Sequence, residues 1–121
     1  MNTRQTGDYY EVLAEEYLVK QGYRILERNF RCKLGEVDLI AMQDATLVFV
    51  EVKYRADCLH GQPSDAVNYK KQVRISNVAS YYVYTHKQYT NYNCRFDVVS
   101  IVGSEITLYK NAFSYCGKFM R

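Results

Sequence analysis

Two apolar segments, residues 36–42 and 47–53, carry the side chains with the clearest chemical potential. Asp38 lies in the first segment, and Glu51 and Lys53 lie in the second. Both segments are rich in β-branched residues and a short polar stretch joins them, which predicts a β-hairpin. A hairpin brings facing residues together, so we expect the two acids and the lysine to form one cluster.

The register of the predicted hairpin sets the geometry of this cluster. With residues 44–45 as a two-residue turn, Asp38 lies directly opposite Glu51, and Glu36 lies opposite Lys53. Opposed carboxylates repel by about a few tenths of a kcal/mol or more, and a hard divalent cation such as Mg²⁺ would relieve the repulsion. A turn that differs by one residue would reverse the faces, so a solvent-facing edge hairpin stays open as the alternative.

Strand alternation divides the apolar side chains of the hairpin between two faces. One face is expected to carry Ile40, Met42, Leu47 and Phe49, and the other Val37, Leu39, Ala41, Val48, Val50 and Val52. The hairpin is therefore expected to be buried on both sides, with its charges gathered at one end.

Two helices are predicted to position further polar groups. Residues 5–21 have apolar side chains at helical spacing and Gly22 is a natural stop, with Glu11 at the border of the apolar stripe. A second helix is expected from about residues 63–65, where Pro, Ser and Asp favour a helix start, to Tyr84.

The buried line of the second helix includes a lysine. It is expected to consist of Val67, Lys71, Ile75, Val78 and Tyr82. A lysine in such a line extends its amine to the nearest polar site, which would be the carboxylate cluster or a phosphate. An exposed lysine at a frayed helix start is the alternative.

Together with strands at about 23–31, 96–101 and 106–109, these segments give the order α-β-β-β-α-β-β. This order predicts an α/β fold, with a mixed sheet flanked by helices. The length of 121 residues is that of one domain, which we expect to span residues 1–121.

The net charge of +3 is distributed unevenly. Residues 20–33 and 63–95 are basic, whereas residues 34–62 between them are mainly acidic. Acidic groups flanked by basic segments suit a polyanion bound around a metal site, although a solvated surface of mixed charge gives the same pattern.

The compartment and the aromatic residues give weaker expectations. The four dispersed cysteines, the polar N-terminus and the absence of a long apolar run predict a cytoplasmic protein with free thiols and no membrane segment. The tyrosines near the end of the second helix are expected in a core or dimer interface, with stacking on unpaired bases as the alternative. They are Tyr81, Tyr82, Tyr84, Tyr89 and Tyr92.

The motifs resemble those of a nuclease class. Residues 35–38 (Gly-Glu-Val-Asp) followed by residues 49–53 (Phe-Val-Glu-Val-Lys) resemble the Asp…Glu-x-Lys signature of restriction-endonuclease-like nucleases. Nearly the whole chain is similar to the YraN family of small bacterial proteins, through these motifs and others such as residues 95–98 and 111–113. Two positions depart from that family, Tyr10 in place of a common glycine and Val37 in place of a proline.

The resemblance implies roles for individual residues. The family's expected fold is similar to that of archaeal Holliday-junction resolvases, which implies Asp38 and Glu51 as ligands of Mg²⁺ or Mn²⁺. It implies Glu11 as a supporting acid and Lys53 as the group that orients or activates the attacking water. We assign nucleic-acid binding to Arg55, Lys71, Gln72 and Arg74.

Two hypotheses on function follow. The first is a metal-dependent endonuclease acting on DNA, including branched or Holliday-junction DNA. The second is a nucleic-acid-binding module of the same fold with little or no cleavage, acting in a repair or uptake assembly. Both predict the same basic surface and differ in metal-dependent turnover. A homodimer is expected from the resemblance to the resolvases.

Overall fold

A mixed β-sheet lies at the centre of the computed structural model, which describes residues 3–55 and 67–118. The elements in chain order are α1 (Thr3–Lys20), β1 (Arg24–Cys32), β2 (Gly35–Gln43), β3 (Thr46–Arg55), α2 (Tyr69–Thr85), β4 (Asn93–Val102) and β5 (Glu105–Tyr109). For the described residues, this order of helices and strands confirms the predicted α/β class.

The sheet has the strand order β1-β2-β3-β4-β5. Strands β1, β2 and β3 form an antiparallel meander, β3 and β4 are parallel, and β5 returns antiparallel to β4. A parallel pair requires a crossover connection, and α2 lies in the connection from β3 to β4. The start of α2 is therefore close in sequence to the end of β3, where Glu51 and Lys53 lie.

The predicted hairpin register is confirmed for residues 39–43 and 46–50, but the predicted pairing of Asp38 with Glu51 is not part of the ladder. Gln43 pairs with Thr46 and Leu39 pairs with Val50, so residues 44–45 form the two-residue turn. Asp44 has φ 53, a left-handed conformation that aspartate tolerates better than most residues.

The regular pairing of β2 with β3 ends at Leu39 and Val50. Beyond this point the backbone N–H of Val52 donates to Oδ2 of Asp38 at 2.7 Å. The side chain of Asp38 thus takes the place of a backbone acceptor, and it lies between the two strands rather than on one face of the sheet.

This insertion changes the faces of β2. Val37 packs in the cluster under α2, whereas Leu39 packs in the cluster under α1. The prediction that both lie on one face is wrong, because strand alternation is broken at Asp38. The expected pairing of Glu36 with Lys53 is also wrong, since the β2–β3 ladder ends at Leu39 and Val50. Glu36 instead forms an ion pair with Arg31 of β1 at 3.2 Å.

Two apolar clusters cover the sheet. The cluster on the α2 side contains Phe49, Ile75 and Tyr82, which is only 1% exposed. The cluster on the α1 side contains Leu18 and Val50. The sheet is therefore buried on both faces, as the hairpin pattern predicts.

Helix α1 ends as the sequence indicates. The N–H of Gly22 donates to the carbonyl of Val19 and the N–H of Tyr23 to that of Leu18, both at 3.0 Å. With φ +93 at Gly22, these bonds form a Schellman motif. The motif directs the chain from α1 into β1.

Helix α2 begins later than predicted. Asn68 caps it, and its Oδ1 accepts the N–H of Lys71 at 2.9 Å. The start expected at residues 63–65 is wrong, because Asn68 provides the cap and the helix begins at Tyr69. Residues 63–65 themselves lie outside the described residues.

The remaining expectations concern thiols and membranes. Cys32 and Cys116 are free thiols, and Cys58 lies outside the described residues. Across residues 3–55 and 67–118, no helix combines the length and apolar character needed to cross a bilayer.

Candidate active site

A cavity of about 480 Å³ opens at the carboxyl end of β3. It brings together most of the residues to which the sequence assigns chemistry. Its lining consists of Gly7, Glu11, Asp38, Glu51, Val52, Lys53, Tyr54 and Lys71. Strands β2 and β3 provide the two central acids, β3 provides Lys53, and the two helices each add one charged side chain.

The two central acids are in direct contact. Glu51 is 4% exposed, and its side chain hydrogen-bonds to that of Asp38. Burial, followed by the negative charge of Glu51, raises the pKa of Asp38 to about 8, although the Val52 N–H bond opposes the shift. At neutral pH the raised pKa favours a protonated Asp38, which hydrogen-bonds to Glu51.

Two lysines neutralise this pair. Nζ of Lys71 forms an ion pair with Oε2 of Glu51, and Nζ of Lys53 lies 3.9 Å from the same oxygen. Lys71 thus reaches the carboxylate cluster from α2, as its place in the buried helical line predicts. The alternative of an exposed lysine at a frayed helix start does not hold.

The environment affects the two lysines differently. Burial lowers the pKa of Lys53, and a hydrogen bond with Lys71 and the charge of Lys71 lower it further. Burial acts in the same direction on Lys71, but its hydrogen bond and ion pair with Glu51 outweigh burial and raise its pKa. Lys53 therefore gives up its proton more readily than Lys71 does.

Glu11 approaches the cluster from α1. Burial raises its pKa, a hydrogen bond with Asn29 lowers it, and the charges of Asp8, Glu51 and Glu36 raise it further. Glu11 and Asp38 also line an adjoining cavity of about 570 Å³. The acidic site is thus open along the first helix.

The other predicted nucleic-acid contacts lie outside the described lining of the central cavity. Arg55 ends β3, and its carbonyl accepts the N–H of Gly103 at 3.0 Å. Gln72 donates its side-chain amide to the carbonyl of Val67 at 3.0 Å, so it holds the start of α2. Arg74 is exposed.

Arg74 is held close to the β1–β2 turn. A Cβ at Gly35 would lie 2.6 Å from Cγ of Arg74, and Gly35 has φ +142. Any larger residue there would strain the backbone and displace the arginine. Because residue 35 of the Gly-Glu-Val-Asp motif is a glycine, the side chain of Arg74 can pack against the β1–β2 turn.

The donor atoms of the site fit a hard divalent cation. Asp38 and Glu51 present carboxylate oxygens at hydrogen-bonding distance from each other. One cation could replace the proton of the hydrogen bond between them. Among the described residues, no three His, Cys, Asp or Glu side chains are grouped closely enough to bind one ion. Mg²⁺ is commonly held by one or two carboxylates with water and phosphate oxygens, so these two acids suffice.

A second polar network was missed by the sequence analysis. Asp97 is fully buried and accepts hydrogen bonds from Tyr23 at 2.7 Å, from Nε of Arg95 at 2.9 Å and from the N–H of Asn111 at 2.9 Å. Arg95 also donates to Gln43 at 2.6 Å. The Arg-x-Asp spacing on one strand face was the available signal, and the network joins four chain segments.

The fold and the site define an α/β protein with an acid and lysine cavity at the end of a central strand. The model of the "Uncharacterised protein family UPF0102" matches residues 10–101, and the chain belongs to this family. The resemblance to the UPF0102 (YraN) family that the motifs indicate is thereby confirmed.

Relatives match the chain along most of its length. A UPF0102 protein of Caldicellulosiruptor bescii is 48% identical over 119 residues, which cover 93% of this chain and 100% of the relative. One of Clostridium acetobutylicum is 50% identical over 99 residues, covering 82% and 80%. The solved structure of Pyrococcus furiosus SfsA in complex with Ca²⁺ has a TM-score of 0.36 and 14% identity, covering 90% of this chain and 63% of that chain.

Replacing Lys71 tests the ion pair at the centre of the site. Lys71→Met would leave the buried Glu51 with only the more distant Lys53 as a cation, and we expect the free energy of unfolding to fall by about 2 kcal/mol, since breaking a buried pair is destabilising. Thermal unfolding at pH 7 measures the change.

The exposed neighbour provides the matched control. Lys70→Met should change stability by less than about 0.5 kcal/mol. If Lys71→Met stabilised the protein, as methionine in a helical apolar line otherwise would, the ion pair would be contradicted.

Proposed function

We propose that this protein is a metal-dependent endonuclease that acts on DNA, with Asp38, Glu51 and Lys53 at its active site. One observation carries the proposal. The half-buried Asp38, whose pKa is raised to about 8, contacts the buried Glu51 at the end of a central strand, next to a lysine whose pKa is lowered. A purely structural cluster has little reason to keep this conflict, whereas functional sites tolerate it.

The fold is consistent with the proposal. A mixed sheet with a helix on each face, and with the acid and lysine motifs on adjacent strands, is what the resemblance to restriction-endonuclease-like nucleases implies. The order of Asp38 on β2 and Glu51 and Lys53 on β3 supports the same reading.

Each residue of the cavity has a role in this proposal. A divalent cation held by Asp38 and Glu51 supplies positive charge that polarises the scissile phosphate and acidifies water. Lys53 would hold the attacking water in line, and its lowered pKa lets Nζ lose its proton more readily than an ordinary lysine does. Glu11 is the supporting acid on α1.

Lys71 has two consecutive roles. It neutralises Glu51 before the cation arrives. With a divalent cation held by Asp38 and Glu51, the amine of Lys71 would be available to a phosphate of the bound strand. Arg55 lies two residues after Lys53 at the end of β3. In this proposal it contacts a flanking phosphate.

The same contacts give one observation in favour of the second hypothesis. Because Lys71 already neutralises Glu51, the fold does not depend on a cation. A nucleic-acid-binding module with little cleavage would use the same basic groups, acting within a repair or uptake assembly.

A cleavage assay separates the two functions. The purified protein is incubated with linear, flapped and four-way DNA, in Mg²⁺, in Mn²⁺ and in EDTA. We expect cleavage of at least one substrate that depends on the metal. Binding without cleavage under every condition would favour the binding module.

The affinity for DNA should depend strongly on salt. In the metal-free protein Lys71 stays with Glu51. If Lys53 and Arg55 contact two phosphates, the logarithm of the affinity should fall with the logarithm of salt concentration with a slope of roughly −2. Fluorescence anisotropy in EDTA measures the slope, and Arg55→Gln should reduce it by about one.

A lysine outside both basic segments serves as the control. Lys118 is exposed, so Lys118→Gln should leave the slope unchanged. An affinity that does not change with salt would contradict the assignment of these cations to phosphate binding.

A further inference from the structure

Three tyrosines form a ladder of rings beside the cavity. The rings of Tyr10 and Tyr54 stack at 4.3 Å with an angle of 12° between them, and Tyr9 meets Tyr10 edge-on at 5.2 Å and 79°. Tyr54 also lines the cavity that contains Glu51. We refer to Tyr9, Tyr10 and Tyr54 as the aromatic ladder.

The ladder exposes much of its aromatic surface. Tyr9 is 54% exposed and Tyr54 remains 39% exposed, although one face of Tyr54 stacks on Tyr10. The rings around Tyr82 differ, since Tyr82 itself is buried in the core. Adjacent exposed rings at the mouth of a polar cavity are typical of a recognition surface.

The charges around the ladder indicate what it binds. Tyr54 lines the same cavity as Lys53 and Lys71, whereas Tyr9 and Tyr10 are flanked by Asp8 and Glu11. A ligand with a flat ring and a phosphate would therefore stack its ring on Tyr54 and turn its phosphate into the cavity, toward Lys53 and Lys71. The acids on α1 would repel a phosphate on the other side.

We propose that the aromatic ladder stacks an unpaired nucleobase next to the scissile phosphate, so that the substrate is DNA with single-stranded nucleotides at the cut site. This inference rests on the proposed function. In a continuous duplex the faces of each base are covered by its neighbours, whereas an unpaired base offers a free face to an aromatic ring. Flaps, gaps and junctions contain such bases.

The position of Tyr54 suits this task. It follows Lys53 directly and is three residues from Glu51 on the same strand. At roughly 3.3 Å per residue, the two Cα atoms are about 10 Å apart. A base on Tyr54 thus lies near the nucleotide whose phosphate enters the carboxylate site.

Binding without cleavage tests the inference. A single-stranded oligonucleotide that contains 2-aminopurine, and the same strand in a blunt duplex, are titrated with the protein in EDTA. We expect tighter binding of the single strand and quenching of its fluorescence by ring stacking. Tyr54→Leu should weaken single-strand binding by roughly 5-fold to 100-fold, as one base–aromatic stack is worth, and duplex binding by less than about two-fold.

Two variants serve as controls. Tyr54→Phe keeps the ring and should bind as the parent does. Tyr84→Leu removes a tyrosine that is 52% exposed on α2, and it should leave both affinities unchanged. Tyr9→Leu, which removes an exposed ring at the helix surface, gives a second test if Tyr54→Leu does not fold, and it should reduce the same preference for the single strand.

The outcomes separate this inference from the proposed function. If Tyr54→Leu and Tyr9→Leu leave single-strand binding and quenching as in the parent, or weaken both substrates equally, the ladder is packing only and the inference is overturned. Metal-dependent cleavage by the parent would then still support the nuclease. A parent protein that binds neither the single strand nor the duplex would overturn both the inference and the proposed function.

Discussion

Glu51→Ala is expected to abolish metal-dependent DNA cleavage while leaving DNA binding within about three-fold of the parent. Glu51 contacts Asp38, Lys53 and Lys71, so its loss removes one of the two proposed metal ligands. The charge stabilisation that a metal provides is worth several kcal/mol, and about 1.4 kcal/mol corresponds to a factor of ten in rate. We therefore expect a loss of about a thousandfold or more, measured as single-turnover cleavage.

Two controls accompany this variant. Glu105→Ala replaces an exposed acid on β5 and should cleave at the parental rate. Because Glu51→Ala leaves Lys71 without its partner, its folding must be checked. Circular dichroism should show that the variant is folded. Cleavage by Glu51→Ala at the parental rate would place the activity at another site or in a contaminant.

Asp38→Asn is expected to stabilise the metal-free protein at alkaline pH and to remove most of the stabilisation by metal. The pKa of Asp38 is raised to about 8 in the fold, from an ordinary value of 3.8. The stability that protonated Asp38 contributes is full below its unfolded pKa and is lost as the pH rises through about 8. The parent should thus lose stability progressively between about pH 4 and about pH 8, and Asp38→Asn should lose less.

The metal acts in the opposite direction. A cation that binds only the native state stabilises it by about 2.7 kcal/mol at one hundred times its dissociation constant. The parent should therefore melt several degrees higher with Mn²⁺ at pH 8, whereas Asp38→Asn should change little.

Asp44→Asn is the matched control, since Asp44 is an exposed acid in the same hairpin and asparagine also tolerates its left-handed conformation. It should keep the parental metal effect. If Asp38→Asn lowered metal-free stability and kept the metal effect, Asp38 would be a structural acid.

The sequence was most informative where short-range rules decide the structure. The two-residue turn at residues 44–45 and the alternation on either side of it were enough to predict the pairing of Leu39 with Val50. Helical spacing likewise predicted Lys71 among apolar residues. The contact of Lys71 with Glu51 followed, because a lysine in such a place has few other polar partners.

The features that were missed depend on contacts between distant segments. Asp38 inserts between two strands to accept the N–H of Val52, which breaks the alternation that placed Val37 beside Leu39. The start of α2 is an exception, because the cap at Asn68 is a local contact with the N–H of Lys71. The network around Asp97 joins strands and turns whose proximity only the fold reveals.

The central claim is that Asp38 and Glu51 hold the metal that cleavage requires. An anomalous difference map from crystals grown with Mn²⁺ tests it most directly. We expect a peak about 2.1 Å from an oxygen of each carboxylate, in the range of magnesium-type sites, with the Lys71 amine moved away from Glu51. A map with no peak between these acids, and with Lys71 still paired to Glu51, would contradict the claim.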